Sequence, residues 1–127
     1  FHRQKARKEV TVLAGAPVTF ELAWAEDDKT LSKKDVEVLV DGIWHHLPAD
    51  GEITVHPGET ITLPGELSHI IKVPAGGADS IMIETCTANN DNTDNIFPFM
   101  TPKGNPVVED EAALYQLLDE HKAVALR

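Results

Sequence analysis

A single histidine, His69, follows a stretch of the chain whose turns and alternation would aim it into a β-structure. Residues 57–70 read PGETITLPGELSHI, and a Pro-Gly pair stands on each side of the alternating run 60–63. Pro-Gly pairs favour tight turns, and alternation favours a half-buried strand. His69 then opens an apolar run in which Ile71 and Val73 share its face. An imidazole among such neighbours needs a polar partner, so we interpret His69 as the anchor of a metal site.

The rest of the chain supplies strands to hold such a site. About eight short runs alternate between apolar and polar residues, and turn signals separate them. In the first run Glu9 shares one face with Thr11, while Val10 and Val12 share the other. The runs span 9–13, 18–24, 36–40, 43–47, 53–55, 60–63, 69–73 and 80–87. This series predicts an all-β barrel or sandwich, with the basic residues 1–8 as a solvated loop or strand entry.

The end of the chain has a different pattern. Residues 89–95 contain no apolar side chain, which is typical of a loop rich in side-chain-to-backbone hydrogen bonds. After them, leucines at helical spacing follow the acidic run 109–111, whose charges suit the start of a helix. We predict one domain over 1–127, with a short C-terminal α-helix over about 109–124.

Composition narrows the class of partner. The 127 residues include 11 Lys or Arg against 21 Asp or Glu, for a net charge of −10. Such a chain repels nucleic acid and anionic lipid, and no apolar run approaches the length of a bilayer span. The single cysteine, Cys86, excludes an internal disulfide and favours a reducing cytoplasm. The sequence begins at Phe1 without a methionine, so we expect an N-terminal truncation.

The stretch that carries His69 resembles the second sequence motif of the cupin superfamily. That motif has a glycine, a proline and a histidine at the spacing of Gly58, Pro64 and His69, although Glu66 stands where it has a further glycine. The segment from His2 through Glu9 to 15 is similar to the rest of the first motif, a His-x-His pair followed by a glutamate and a glycine. The gap from His2 to Glu9 is slightly longer than usual, and the other histidine of the pair would precede Phe1.

The cupin resemblance implies a double-stranded β-helix, or jelly-roll barrel, with His2, Glu9 and His69 as metal ligands. Two imidazoles and a carboxylate suit Mn²⁺, Zn²⁺, Co²⁺, Ni²⁺ or Fe²⁺ with positions open for substrate, and we expect Mn²⁺ foremost. Each residue also has a plainer interpretation. His69 would be a hydrogen-bonded core histidine, Glu9 a surface carboxylate, and His2 an untethered terminal side chain.

A second resemblance is more specific. Residues 83–97 read IETCTANNDNTDNIF and are similar to the D-lyxose isomerase family of cupin ketol-isomerases. The likeness runs from about residue 2 to residue 97 and continues weakly into the acidic tail. It implies conversion of D-lyxose to D-xylulose, and of D-mannose to D-fructose. In the family a lysine upstream of the His-x-His pair also serves the site, and it would precede Phe1.

The chemistry of such an isomerase gives roles to the acidic residues. Aldose–ketose isomerisation through a cis-enediol needs a polarised carbonyl and a base that carries a proton between C1 and C2. Met82 and Glu84 share a face of their strand, so Glu84 can point into the barrel and act as that base. Asp91 and Asp94 offer acceptors for sugar hydroxyls, or else stabilise their own loop through Asx turns.

Two other functions stay open on the sequence alone. One is an Fe²⁺ cupin oxygenase, and the other is a non-catalytic cupin that binds a sugar or a metal. Oxygenase chemistry does not require Glu84 or the run 90–95, which favours the isomerase over the oxygenase. Because exposed edge strands need covering, we also expect a homodimer.

Overall fold

The computed structural model describes residues 1–2, 7–87 and 94–98, and these residues form eight β-strands. The strands are β1 (Arg7–Gly15), β2 (Val18–Trp24), β3 (Val36–Val40), β4 (Ile43–Leu47), β5 (Gly51–Val55), β6 (Thr60–Pro64), β7 (Leu67–Lys72) and β8 (Ser80–Cys86). The predicted all-β fold is therefore confirmed. The predicted helix over 109–124 and the candidate residue Asp91 lie outside the described residues.

The strands form two antiparallel sheets. The larger sheet has the order β4-β3-β6-β1-β8, and the smaller has the order β5-β2-β7. Of the consecutive strands only β3 and β4 belong to the same sheet, so the chain passes from one sheet to the other at each of the remaining connections. Such repeated crossing between two packed sheets makes a cupin-like β-sandwich.

Alternation along the strands decides which side chains fill the space between the sheets. On β2, Val18, Phe20 and Leu22 are fully buried, while Thr19 and Glu21 face outward. The other buried members of the core are Val10, Val12, Val36, Val38, Val40, Val55, Ile61, Leu63 and Leu67. Burial of one such side chain contributes on the order of 1.5–3 kcal/mol, so this layer is the main source of stability.

One side of the sandwich is bordered by two edge strands. β4 lies against β5, so the opposite edges of the two sheets, formed by β7 and β8, lie on the same side of the described strands. We call this the β7–β8 side. Ile70, Ile71, Ile81 and Ile83 are each exposed there. Within the described part of the chain, no second strand pairs with β7 or with β8 on this side.

Gly15 fixes the position of β8 on this side. It ends β1 with a φ of +93°, and it pairs with Ser80 at the start of β8. A Cβ atom at Gly15 would lie 1.8 Å from the carbonyl oxygen of Asp79, which is far inside contact distance. The chain can reach β8 this closely only because residue 15 is glycine.

Candidate functional site

His69 points into the sandwich from β7. It lies opposite Leu22 of β2, and its Nδ1–H donates a hydrogen bond of 2.9 Å to the carbonyl oxygen of Leu67. Because a carbonyl can only accept, the proton of the neutral ring is on Nδ1, and Nε2 carries a free lone pair. Burial, and next the charge of the nearby Lys8, lower the pKa of His69 to about 4. His69 is therefore a neutral imidazole at pH 7.

The imidazole ring of His2 lies near the imidazole ring of His69. The two ring centroids are 6.1 Å apart, and Nδ1 of His2 is 2.9 Å from the carbonyl oxygen of Asp94. The backbone of His2 is also anchored, since its carbonyl accepts a 2.9 Å hydrogen bond from the amide of Glu66. His2 is thus not an untethered terminal residue. Its Nδ1, like that of His69, lies within hydrogen-bond distance of a backbone carbonyl. Nε2 of the same ring therefore points away from that carbonyl.

Lys8 also faces the interior. It lies on the same face of β1 as Val10 and Val12, and only 7% of its side chain is exposed. Its Nζ is 3.0 Å from Oε2 of Glu84. Of the two interpretations of residues 1–8, a solvated loop or a strand entry, the second holds for Lys8, because β1 begins at Arg7. The signal was present in the sequence, since the alternation of Val12 and Val10 continues backward to Lys8.

Glu84 lies on the inner face of the edge strand β8. It pairs with Val10 and shares that face with Met82, as the alternation predicted. Its side chain is 37% exposed, so it meets both the interior and the β7–β8 side. The ion pair with Lys8 compensates an ammonium group that burial alone would make costly. Glu84 therefore has the placement that a base acting on a bound molecule requires.

Glu9 does not join this group. It lies on the outer face of β1, where its carboxylate pairs with Arg7 and its strand neighbours are Thr62 and Thr85. Successive residues of a strand point to opposite faces, so the inward position of Lys8 obliges Glu9 to point outward. In this register the carboxylate of Glu9 points away from the face that carries Lys8, and a ligand set of His2, Glu9 and His69 stays a prediction.

The residues present fit a metal ion only in part. The imidazoles of His2 and His69 are suitable ligands. An inward position on β1 holds the ammonium group of Lys8, whose charge acts on His69; this group repels a divalent cation and cannot coordinate one while charged. Among the described residues, no three His, Cys, Asp or Glu side chains are grouped to hold a metal ion. The predicted three-ligand centre stays a prediction.

Asp94 is buried beside His2. Its carbonyl oxygen accepts from the imidazole, and its carboxylate Oδ2 lies 3.9 Å from Nδ1 of His2. The amide of Ile96 donates a further 3.0 Å hydrogen bond to the carbonyl of Phe1. These contacts join the segment 94–98 to the start of the chain and hold His2 in place. The predicted contact of Asp94 with a sugar stays a prediction.

Comparison with known proteins gives a consistent result. The family profile described as D-lyxose isomerase matches residues 1–121. A D-lyxose/D-mannose isomerase of Escherichia coli O157:H7 is 30% identical over 122 residues, which cover 96% of this chain and 53% of that protein. A D-lyxose/D-mannose isomerase of Serratia proteamaculans is 27% identical over 121 residues, covering 95% of this chain and 53% of that protein. The chain thus spans about half the length of the curated relatives that it matches.

Proposed function

Because the chain belongs to the D-lyxose isomerase family, we propose that it catalyses aldose–ketose isomerisation at a site to which His2, His69 and Glu84 contribute. The proposed conversions are D-lyxose to D-xylulose and D-mannose to D-fructose. The observation that carries this proposal is the placement of Glu84, a carboxylate on an inner sheet face that still meets the β7–β8 side. The same carboxylate pairs with the buried Lys8, so Glu84 serves the fold as well as the proposed reaction.

The reaction moves two hydrogens. The Glu84 carboxylate removes the proton from C2 of the open-chain aldose, and the electrons of that C–H bond form the C1=C2 double bond. A general acid gives a proton to the carbonyl oxygen O1, which completes the cis-enediol, and its conjugate base takes up the proton that O2 loses in the next step. Glu84 then returns its proton to C1, while the hydroxyl on C2 loses its proton and becomes the ketone. One hydrogen has moved from C2 to C1 and one from O2 to O1, so the enzyme ends unchanged.

The sequence also predicts a divalent metal, Mn²⁺ foremost, and this remains a prediction. An ion of this kind, when bound, polarises the two sugar oxygens. The described residues bring together only the two imidazoles of the predicted ligand set. No step of the proposed reaction is therefore routed through the ion.

The remaining expectations are part of the proposal. Asp94, with Asp91 outside the described residues, is proposed to bind sugar hydroxyls. A homodimer and a cytoplasmic location are likewise proposals. Among the described residues there is no helix long and apolar enough to cross a membrane.

The experiment is a ketose assay on D-lyxose and D-mannose with the 127-residue chain. We expect ketose from the wild type and a loss of about 10²–10⁴-fold in Glu84→Gln, since a general base of this kind contributes that much. The matched control is Glu37→Gln, which removes an exposed carboxylate that pairs with His46, and it should keep full activity. Normal turnover by Glu84→Gln would eliminate Glu84 as the base. A folded wild type that binds sugar without forming ketose would instead identify a non-catalytic binding cupin.

A further inference from the structure

We infer that Lys8 fills the inward position on β1 that a metal-ligating carboxylate would need, and that its ammonium group acts on the sugar oxygens during isomerisation. The second half of this inference rests on the proposed function. The first half concerns metal affinity alone and is tested separately.

The position of Lys8 is set by the register of β1. In this register Lys8 lies opposite Leu63 of β6 on one side and Cys86 of β8 on the other. The same face continues with Val10 and Val12, which are core residues. Lys8 is therefore held by the strand at the end of the apolar core, and it cannot exchange places with Glu9 without a shift of one residue in β1.

The charge of Lys8 acts on His69. Lys8 lies on the inner face of β1 with its side chain nearly buried, and its positive charge is, after burial, the next largest cause that lowers the pKa of His69. A divalent ion bound to the Nε2 atoms of His2 and His69 would be repelled by the same charge. Lys8 thus supplies a positive charge to this region in place of an ion.

The ammonium group has donors to spare for a sugar. It carries three N–H groups, and within the described part of the chain the partner of its side chain is Glu84. Two N–H groups are then available for O1 and O2, which lie on the same side of a cis-enediol. A lysine placed in this way supplies the polarisation of the carbonyl that metal-dependent isomerases obtain from an ion.

The proton balance closes through the same two residues. While Glu84 takes the proton from C2, Lys8 gives one proton to O1, and the enediol forms with Glu84 protonated and Lys8 neutral. Glu84 then gives its proton to C1 and Lys8 removes the proton from O2. Both side chains return to their starting states, and no other reactant is consumed.

Metal affinity is the first test. Binding of Co²⁺ and Mn²⁺ to the 127-residue chain is measured by calorimetry and by the visible absorption of Co²⁺. We expect Lys8→Glu to bind Co²⁺ at least about tenfold more tightly than the wild type, because the repelling charge is replaced by a ligand. Glu9→Gln should bind like the wild type. Tight binding by the wild type that Glu9→Gln abolishes would overturn the inference.

The Lys8→Gln variant keeps the first test decisive if Lys8→Glu does not fold. It removes the charge and adds no carboxylate, and we expect a smaller but measurable gain in Co²⁺ affinity. An affinity equal to that of the wild type in a folded Lys8→Gln would contradict the inference.

Turnover with metal-stripped protein is the second test. We expect Lys8→Gln to lose ketose formation by at least about 100-fold. Lys33→Gln is the matched control, because Lys33 also pairs with a carboxylate, at 3.1 Å from Asp50, but is exposed. Full activity in Lys8→Gln would overturn the role on the sugar. If the wild type forms no ketose, the proposed function fails with that role, whereas the Co²⁺ result still decides what occupies the ligand position.

Discussion

Nζ of Lys8 lies 3.0 Å from Oε2 of Glu84, although 76 positions of sequence separate the two residues. β1 and β8 are neighbours in the larger sheet, and their register brings both side chains to the inner face. The ammonium is nearly buried, and the carboxylate is partly open to the β7–β8 side. The pair therefore lies between the apolar core and the β7–β8 side.

The pair should also contribute to stability. Glu84→Ala leaves a buried ammonium group without its carboxylate, so we expect a loss of about 1–2 kcal/mol in the free energy of unfolding, reduced from fully buried values because Glu84 is partly solvated. Urea denaturation at pH 7 measures it. Asp50→Ala breaks the exposed pair with Lys33 and should change stability by less than about 0.5 kcal/mol. Equal effects of the two variants would show that burial of Lys8 adds nothing.

The pKa of His69 predicts a pH dependence of stability. In the folded chain this pKa is lowered from 6.5 to about 4, so between those pH values the unfolded chain binds a proton that the folded chain refuses. Stability should therefore be full above pH 6.5 and fall by up to about 3 kcal/mol as the pH approaches 4.

Urea denaturation at pH 7 and pH 4.5 tests this dependence. His69→Gln should remove most of the loss at the lower pH. His46→Gln is the control, since His46 is an exposed histidine paired with Glu37, and it should keep the wild-type dependence. An undiminished loss in His69→Gln would mean that another group controls the acid sensitivity.

Much of the fold was predictable because its signals are local. The alternation of apolar and polar residues in β2 predicts which face of the strand is buried. The Asp41-Gly42 pair predicts the turn between β3 and β4. Both residues of that turn have positive φ, +49° and +79°, which is the geometry that this dipeptide favours in a two-residue hairpin. Each of these features depends on neighbours within a few positions of sequence.

The candidate site was less predictable. The spacing of a motif gives the number of residues between two positions, but it does not give the face of the strand on which each side chain lies. The slightly long gap from His2 to Glu9 placed a glutamate near the expected ligand position. Successive residues of a strand face opposite sides, so a difference of one residue in where the strand begins exchanges the inward and outward positions. In β1 the inward position is therefore that of Lys8 and not that of Glu9. The anchoring of His2 by Asp94 could not be foreseen either, since 92 positions separate these residues.

The core gives a prediction that is independent of function. Ile61 is fully buried on β6 and lies between Val10 of β1 and Val40 of β3. Ile61→Ala should cost about 2–5 kcal/mol, through lost burial and a residual cavity. Ile83→Ala, at a position 52% exposed on β8, should cost less than half as much. Thermal and urea unfolding of both variants measure the difference, and similar costs would contradict the assigned core.

Gly15 gives a prediction that links backbone geometry to the site. Gly15 and Gly58 have nearly the same φ, +93° and +96°, but a Cβ at Gly58 would meet nothing within 4 Å. Gly58→Ala should therefore cost only the strain of the left-handed conformation, about 1–2 kcal/mol. Gly15→Ala adds a clash with Asp79 and should cost clearly more, and it should reduce ketose formation because it displaces β8. Equal stability of the two variants would contradict the close approach.

The most direct measurement follows D-lyxose by NMR in the presence of the chelator-treated 127-residue chain, with and without added Mn²⁺. We expect D-xylulose to form at the same rate in both conditions for the wild type and for Glu9→Gln. Lys8→Gln and Glu84→Gln should form it at least about 100-fold more slowly. The contradicting result is D-xylulose that forms only after Mn²⁺ is added, and that Lys8→Gln forms as fast as the wild type.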